Sequence, residues 1–271
     1  MQRVGLIAGN GRFPIIFAEA VRAAGIAVVA VAHEGESLPE LSRVADDVTW
    51  IKVGELGRMV DTFRAHGIRE AVMAGGIHKA ALMEHFAPDE RAMRFLSRLT
   101  TWSDDVLLRG VAEELESEGI RIVDAMPFLS SIATPEGVLS ERSPTEQQWR
   151  DIRLGFEVAK GVGRFDVGQS VVVKSGVVLA VEAIEGTDST MRRGGELGHG
   201  GAVLVKVSKP GQDLRFDVPA VGPATAVVAR VAGVEVIALE AGKTLMLDKA
   251  DFLAEARAGD LVVVGVAPQE G

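Results

Sequence analysis

The sequence predicts an α/β protein in two parts: an N-terminal domain on a parallel, doubly wound sheet, and a C-terminal α+β domain with a mostly β core. Three observations carry this prediction. The first half alternates short apolar runs with helical periodicities across glycine turns, the rhythm of repeated βαβ units. Beyond about residue 170, apolar runs of strand length dominate. The composition is 47% hydrophobic with 5% aromatic residues and no tyrosine, which suits an Ala/Val/Gly-rich layered core. At 271 residues the chain has room for two domains.

Residues 3–8 form an apolar run that enters Gly9-Asn10-Gly11, and Pro14 opens a helical pattern that ends near Gly25. Strand, glycine loop and helix are the start of a βαβ unit, and proline suits a first helical turn. Strands are predicted at 28–32, 48–53 and 71–74, the last entering Gly75-Gly76, with a helix over 56–66. Helices over 89–99 and 104–118 follow, the second with Ser103 as its cap and Gly119 as its stop, then a strand at 120–123. The first domain is placed at 1–132. The stretch 133–144, with Pro135, Gly137 and Pro144 among polar residues and no sustained period, reads as a linker. The second domain, 145–271, opens with a helix over 145–160 and continues with strands at 170–174, 177–183, 203–207, 234–239 and 261–266. Its helices are predicted to be few and short, at 224–231 and 249–257.

Charge and cysteine content narrow the function. Acidic residues outnumber basic ones by 38 to 29, a formal charge of −9, which argues against phosphate-backbone binding and hence against a nucleic-acid partner. With no cysteine, disulfides, thiolate zinc sites, iron–sulfur clusters and cysteine nucleophiles all drop out. The longest uncharged apolar stretches, 23–32 and 218–229, fall short of the ~18 residues of a membrane span. The N-terminus reads as a first strand and not as a signal peptide, so a cytoplasmic protein is expected.

Gly9-Asn10-Gly11-Arg12-Phe13-Pro14 follows a dinucleotide loop except that its third glycine is Pro14. A helix N-terminus there still offers backbone N–H groups to an anion. Glu34, just past the second strand, stands where a ribose-binding carboxylate is expected. Gly75-Gly76-Ile77-His78-Lys79 would face the same crevice. The densest chemistry lies in 182–217, where Glu182, Glu185, Thr187, Asp188, Arg192, Arg193, Lys206, Lys209, Gln212, Asp213, Arg215 and Asp217 alternate with Gly, Thr and Pro on expected loops. That mixture suits a pyrophosphate held by Arg and Lys beside carboxylates holding a divalent metal. The five histidines form no metal-spaced pair, so oxygen ligands and magnesium or manganese are expected. Ala241-Gly242-Lys243-Thr244 resembles the tail of a P-loop but reads as a turn at a strand edge.

Taken in order, Gly-Leu-Ile-Ala-Gly-Asn-Gly-Arg-Phe-Pro, Gly168-Gln169-Ser170-Val-Val-Val, Ala-Val-Glu182-Ala-Ile-Glu185-Gly-Thr187-Asp188, Lys209-Pro-Gly-Gln212-Asp213-Leu-Arg215-Phe-Asp217-Val-Pro219 and Ala241-Gly-Lys-Thr-Leu strongly resemble the LpxI family over essentially the whole chain. The resemblance implies a Rossmann-like N-terminal domain and a C-terminal domain of its own type. It also implies Mg2+-dependent hydrolysis of UDP-2,3-diacylglucosamine to UMP and 2,3-diacylglucosamine 1-phosphate in lipid A biosynthesis, by a homodimer peripheral to the inner face of the cytoplasmic membrane. Mn2+ would be its substitute metal. One departure stands out: where the family has Gly-Pro-Asp-Thr, this chain has Gly222-Pro223-Ala224-Thr225. A methyl group in place of that carboxylate implies a chain that binds substrate and hydrolyses it poorly.

On this reading Asp188, Asp213 and Glu182 are the metal ligands, and Asp188, Asp213, Asp217, Lys206, Lys209, Arg215 and the Ala224 position form the catalytic group. Gly9, Asn10, Gly11, Gly75, His78 and Lys79 contact the nucleotide. Gln169, Thr187, Arg192, Arg193, Gln212 and Thr225 contact the rest of the substrate. Two rivals use the same features: a nucleotide-sugar oxidoreductase or transferase built on the Gly9 loop, and a module that holds a UDP-lipid without turning it over.

Overall fold

A computed structural model describes residues 2–78, 86–99 and 104–267. The chain divides into two compact units; the first runs to Leu129 and includes Leu214–Phe216, and the second takes Ser130–Asp213 and the chain from Asp217 onward.

The first unit holds a five-stranded, wholly parallel sheet in the order β3-β2-β1-β4-β5. Its strands are β1 (Arg3–Ala8), β2 (Ala27–His33), β3 (Asp47–Ile51), β4 (Glu70–Ala74) and β5 (Arg121–Ile122). Strands β1, β2 and β4 are buried almost end to end, as a sheet covered on both faces requires. Helices α1 (Phe13–Ala23), α2 (Leu41–Val44), α3 (Leu56–Ala65), α4 (Glu90–Leu96) and α5 (Asp104–Glu116) complete the unit. Phe63, Ile51, Leu115 and Ile122 anchor one core cluster. The strand order reverses direction between β1 and β4, so the carboxyl ends of these two strands flank the crevice where doubly wound sheets take their ligands.

The second unit holds a mixed six-stranded sheet in the order β6-β13-β11-β9-β7-β8. Strands β9 (Ala202–Lys206), β11 (Val234–Glu240) and β13 (Val262–Val266) run parallel; β7 (Ser170–Lys174), β8 (Val177–Val181) and β6 (Gly137–Val138) join antiparallel. A short parallel pair, β10 (Ala220–Val221) and β12 (Leu245–Met246), lies apart. Side-chain alternation sorts the two faces. Val171, Val173, Val203 and Val205 pack with Ile152, Phe156 and Ala159 of α6 (Glu146–Gly163). Val172, Leu204 and Ile237 pack with Met191 of α7 (Gly186–Gly198), Ala229 of α8 (Pro223–Ala232) and Phe252 of α9 (Lys249–Ala258). The α/β unit followed by a β-rich unit is the predicted fold class.

Three expectations change. Residues 186–198 form a 13-residue helix where loops are expected. Its four glycines, each worth about 1 kcal/mol less than alanine in a helix interior, hide it from a propensity reading. Gly194 and Gly195 are there for packing: a Cβ on Gly194 would stand 2.6 Å from Val172, and one on Gly195 would stand 1.7 Å from the Ala232 carbonyl oxygen. Helix α6, expected to end near Lys160, also runs on to Gly163. Finally, the segment expected as a linker is tied into the second unit: β6 pairs with β13, and Thr134 donates through both N–H and Oγ1 to the Thr244 carbonyl at 2.9 Å.

Candidate functional site

At the crevice of the first unit, the loops after β1 and β4 pack backbone against backbone. Gly9 N–H donates to Ala74 O and Asn10 N–H to Gly76 O, both at 2.8 Å. A Cβ on Gly9 would come within 2.2 Å of Gly76 O, and one on Gly75, whose φ is +78°, within 2.3 Å of Asn10 O. These glycines are required first by the fit of one loop on the other. Gly11 is exposed at φ +75°, ahead of an α1 N-terminus with no side-chain cap. Ser103 and Lys79 lie outside the described residues.

The carboxylate that enters this crevice is Glu36 and not the expected Glu34, which is exposed. The Glu36 side chain is 3% exposed and accepts from Asn10 Nδ2 at 3.2 Å, from His78 N–H at 2.9 Å and from His78 Nδ1 at 3.0 Å. Burial alone would raise its pKa, but these hydrogen bonds and the His78 charge hold it below the ordinary carboxylate value. Behind it, Ser37 Oγ donates to Ala8 O at 2.7 Å and accepts from His33 N–H, while His33 Nδ1 lies 2.8 Å from the same carbonyl. Desolvation pushes the His33 pKa down, so the ring is neutral with its proton on Nδ1. Glu36 and Ser37 escape a sequence reading because a turn, not a strand or motif, brings them to the β1 end.

In the second unit, Lys206 at the end of β9, Glu182 just past β8, Ser170 at the start of β7 and Thr187 in the first turn of α7 converge. Lys206 Nζ donates to Thr187 Oγ1 at 3.0 Å, Thr187 Oγ1 donates to Glu182 Oε1 at 3.0 Å, and Ser170 Oγ lies 3.3 Å from Thr187 Oγ1. Glu182 Oε2 accepts from Gln169 N–H at 3.4 Å. Burial lowers the Lys206 pKa, partly offset by the negative charges of Glu182, Asp217 and Asp188. One buried cation thus sits in the field of three carboxylates, two of which, Asp188 and Asp217, are exposed. The buried Gln169 Oε1 has no hydrogen-bond partner among the described residues, an acceptor a ligand donor would satisfy.

Other expected residues have structural partners. Gln212 Nε2 donates to Asp217 Oδ2 at 2.6 Å while its Oε1 accepts from Ser208 Oγ and Lys209 N–H. Lys209 Nζ pairs with Asp166 at 2.5 Å, and Arg193 with Glu185 at 2.6 Å and the Val181 carbonyl. Thr225 Oγ1 accepts from Gly222 N–H at the start of α8. Arg215 belongs to the first unit, where it pairs with Glu116 at 3.4 Å and lies 4.9 Å from the ring centroid of Phe216. Arg192 is exposed with no hydrogen-bond partner among the described residues, and Ala224 is exposed in the first turn of α8. A cavity of the second unit, about 300 Å³, lies among Gly200, Gly201, Arg230 and Asp260 and contains none of these residues.

Among the described residues, no three His, Asp or Glu side chains form a ready-made metal cage, so Asp188, Asp213 and Glu182 are not gathered as a ligand set. The donor chemistry still suits Mg2+, which is commonly held by one or two carboxylates with substrate phosphates and water completing the shell. Asp188 and Asp217 are the exposed carboxylates near Lys206 that match this demand.

Two family models match the chain: the LpxI N-terminal domain over residues 3–132 and the LpxI C-terminal domain over 135–264. A relative from Caulobacter vibrioides, named UDP-2,3-diacylglucosamine pyrophosphatase LpxI, is 38% identical over 286 aligned positions, covering 100% of this chain and 99% of its own. Among solved structures, the biotin carboxylase domain of a thermophilic 2-oxoglutarate carboxylase aligns at 17% identity and TM-score 0.29, over 65% of this chain and 35% of that one. Phosphoribosylglycinamide synthetase from Anaerococcus prevotii aligns at 11% and 0.28, over 68% of this chain and 39% of that one.

Proposed function

Because the chain belongs to the LpxI family, we propose that it acts in lipid A biosynthesis by hydrolysing the pyrophosphate of UDP-2,3-diacylglucosamine to UMP and 2,3-diacylglucosamine 1-phosphate. The observation that carries this reading is the Lys206–Thr187–Glu182 chain with Asp188 and Asp217 beside it. Lys206 faces the charge that builds on the departing phosphate, and its ammonium is oriented by Thr187 instead of by a direct carboxylate bond. Glu182 fixes the Thr187 hydroxyl. Arg192 supplies an exposed cation for the same charge. Asp188 and Asp217 would hold Mg2+ when it is bound, where it would polarise phosphoryl oxygens and acidify water. In the first unit, the Gly9 and Gly75 loops present backbone N–H groups, with Asn10, His78 and Glu36 for the nucleotide.

Ala224 marks this chain as a slow member that holds substrate. An exposed helix N-terminus accepts Asp without steric cost and gains from it through the helix dipole. The test is UMP release from UDP-2,3-diacylglucosamine with Mg2+ by the native chain and by Ala224→Asp. Release by the Asp variant that clearly exceeds the native rate, and that chelation abolishes, supports hydrolysis and the metal. If neither form releases UMP while both bind the lipid, the second reading holds, a UDP-lipid-binding protein, which Ala224 favours.

The same reading places the protein as a homodimer on the inner face of the cytoplasmic membrane. No helix among the described residues is long and apolar enough to cross a bilayer. Phe165, Val167 and Ile184 are exposed on two loops that meet where Gly168 backs onto the Glu182 carbonyl, beside the Lys206 cluster. These side chains are the proposed contacts for the acyl chains. Sedimentation equilibrium tests the dimer, and a monomer across the working concentration range would exclude it.

A further inference from the structure

The second unit buries another ionic group that the chemistry above leaves unused. Glu240, the last residue of β11, is completely buried. Lys160 Nζ donates to its two oxygens at 2.8 and 2.6 Å, Ser208 N–H donates to Oε2 at 2.8 Å, and Lys243 Nζ lies 3.3 Å from Oε1. Lys160 Nζ also donates to the Ser208 carbonyl at 2.7 Å. Both backbone polar groups of Ser208 are therefore held by this one ion pair, the N–H by its anion and the carbonyl by its cation.

Ser208 begins the loop that leads to Asp217, and the hydrogen bonds continue along it. Ser208 Oγ donates to Gln212 Oε1 at 3.1 Å, Lys209 N–H donates to the same oxygen at 2.8 Å, and Gln212 Nε2 donates to Asp217 Oδ2 at 2.6 Å. An amide side chain can accept from Ser208 and Lys209 through its oxygen and donate to a carboxylate through its nitrogen. A buried ion pair is a weak source of stability, because desolvation offsets its attraction. Its geometry here has a clearer consequence, which is a fixed start for the loop.

We propose that Glu240 is a positioning residue for the hydrolysis: through Ser208 and Gln212 it sets where Asp217 stands beside Lys206. This rests on the pyrophosphatase reading, so the test has one arm that needs no activity. In the full chain, amide hydrogen exchange read by mass spectrometry should rise severalfold over 208–213 in Gln212→Ala, with β11 unchanged. Gln212 is only half-buried and its loss leaves the Lys160–Glu240 pair intact, so this variant separates loop restraint from folding. Exchange at the native level in Gln212→Ala would overturn the proposal.

The kinetic arm uses the Ala224→Asp background. Glu240→Gln and Gln212→Ala should each lower kcat roughly tenfold with KM unchanged, as expected when a reacting group is displaced by a fraction of an ångström. Gln212→Ala should have no further effect once Asp217→Asn is present, because its effect acts through Asp217. Undiminished kcat, or losses that multiply independently, would overturn the positioning role. If the background enzyme releases no UMP while exchange over 208–213 still rises in Gln212→Ala, the hydrolytic reading fails and the restraint of the loop through Gln212 stands.

Discussion

At the end of β2 the fold keeps a histidine neutral and a carboxylate charged within four residues of each other, and each leaves a separate mark on stability. The His33 pKa lies below its ordinary value near 6.5 because the ring is buried. As pH falls below that value the unfolded chain takes up the proton first, so the stability present above about 6.5 is lost as pH descends toward the folded value. Glu36 also lies below its ordinary value, near 4.5, and its contribution is present above 4.5 and lost as pH falls through the folded value. Thermal melts scanned against pH should therefore show an acid limb in two steps. His33→Asn keeps a donor for the Ala8 carbonyl without a titrating ring and should remove the upper step alone; Glu36→Gln should remove the lower one. A limb unchanged by His33→Asn would mean that the ring titrates alike in both states. Neither residue stands out in the sequence. Glu34 is the nearer carboxylate to the strand end, and only the turn closed by Ser37 on the Ala8 carbonyl brings Glu36 inward in its place.

Glycine separates the helices that the sequence reveals from the one it conceals. Helix α6 announces itself through a capping box, Thr145 with Gln148, and a stripe of Ile152, Phe156 and Ala159 at helical spacing. In α7 the corresponding positions carry glycine, and the evidence of periodicity is lost to the close approach of β7 and α8. The two helices make opposite predictions for one substitution. A Cβ on Gly161 of α6 meets nothing within 4 Å, so Gly161→Ala should stabilise by about 0.5 to 1 kcal/mol, the ordinary helix preference for alanine. A Cβ on Gly195 of α7 would overlap the Ala232 carbonyl, so Gly195→Ala should destabilise by about 1 to 3 kcal/mol despite that preference. Urea midpoints at constant slope measure both, and a stabilising Gly195→Ala would remove the close contact between α7 and α8. The strands were legible for the converse reason. The Val, Leu and Ala runs of β1, β2, β4, β7, β9, β11 and β13 are buried nearly end to end and need no periodicity to be recognised, whereas the two-residue strands β6, β10 and β12 are too short to leave a pattern, and β5, equally short, shows only through the apolar residues around it.

Across the whole chain, the charge that argues against nucleic acid also decides how a lipid surface would be met. A protein of net charge −9 is repelled by an anionic leaflet, and the other cations around Lys206 are mostly matched by carboxylates: Lys209 by Asp166 and Arg193 by Glu185. Attraction on the scale of the whole molecule must then come from apolar contact, for which the exposed Phe165, Val167 and Ile184 are placed. Binding to vesicles containing anionic lipid should accordingly hold or strengthen as salt rises from roughly 0.05 to 0.5 M, since screening weakens the repulsion and leaves the apolar term intact. Replacing Phe165 and Ile184 together by Glu should abolish flotation with the vesicles while leaving the thermal midpoint nearly unchanged, because both side chains already lie in solvent. Binding that collapses with salt and survives the double substitution would instead place the membrane contact on a basic patch. The acyl chains of the substrate would then need another home than the loops beside Glu182.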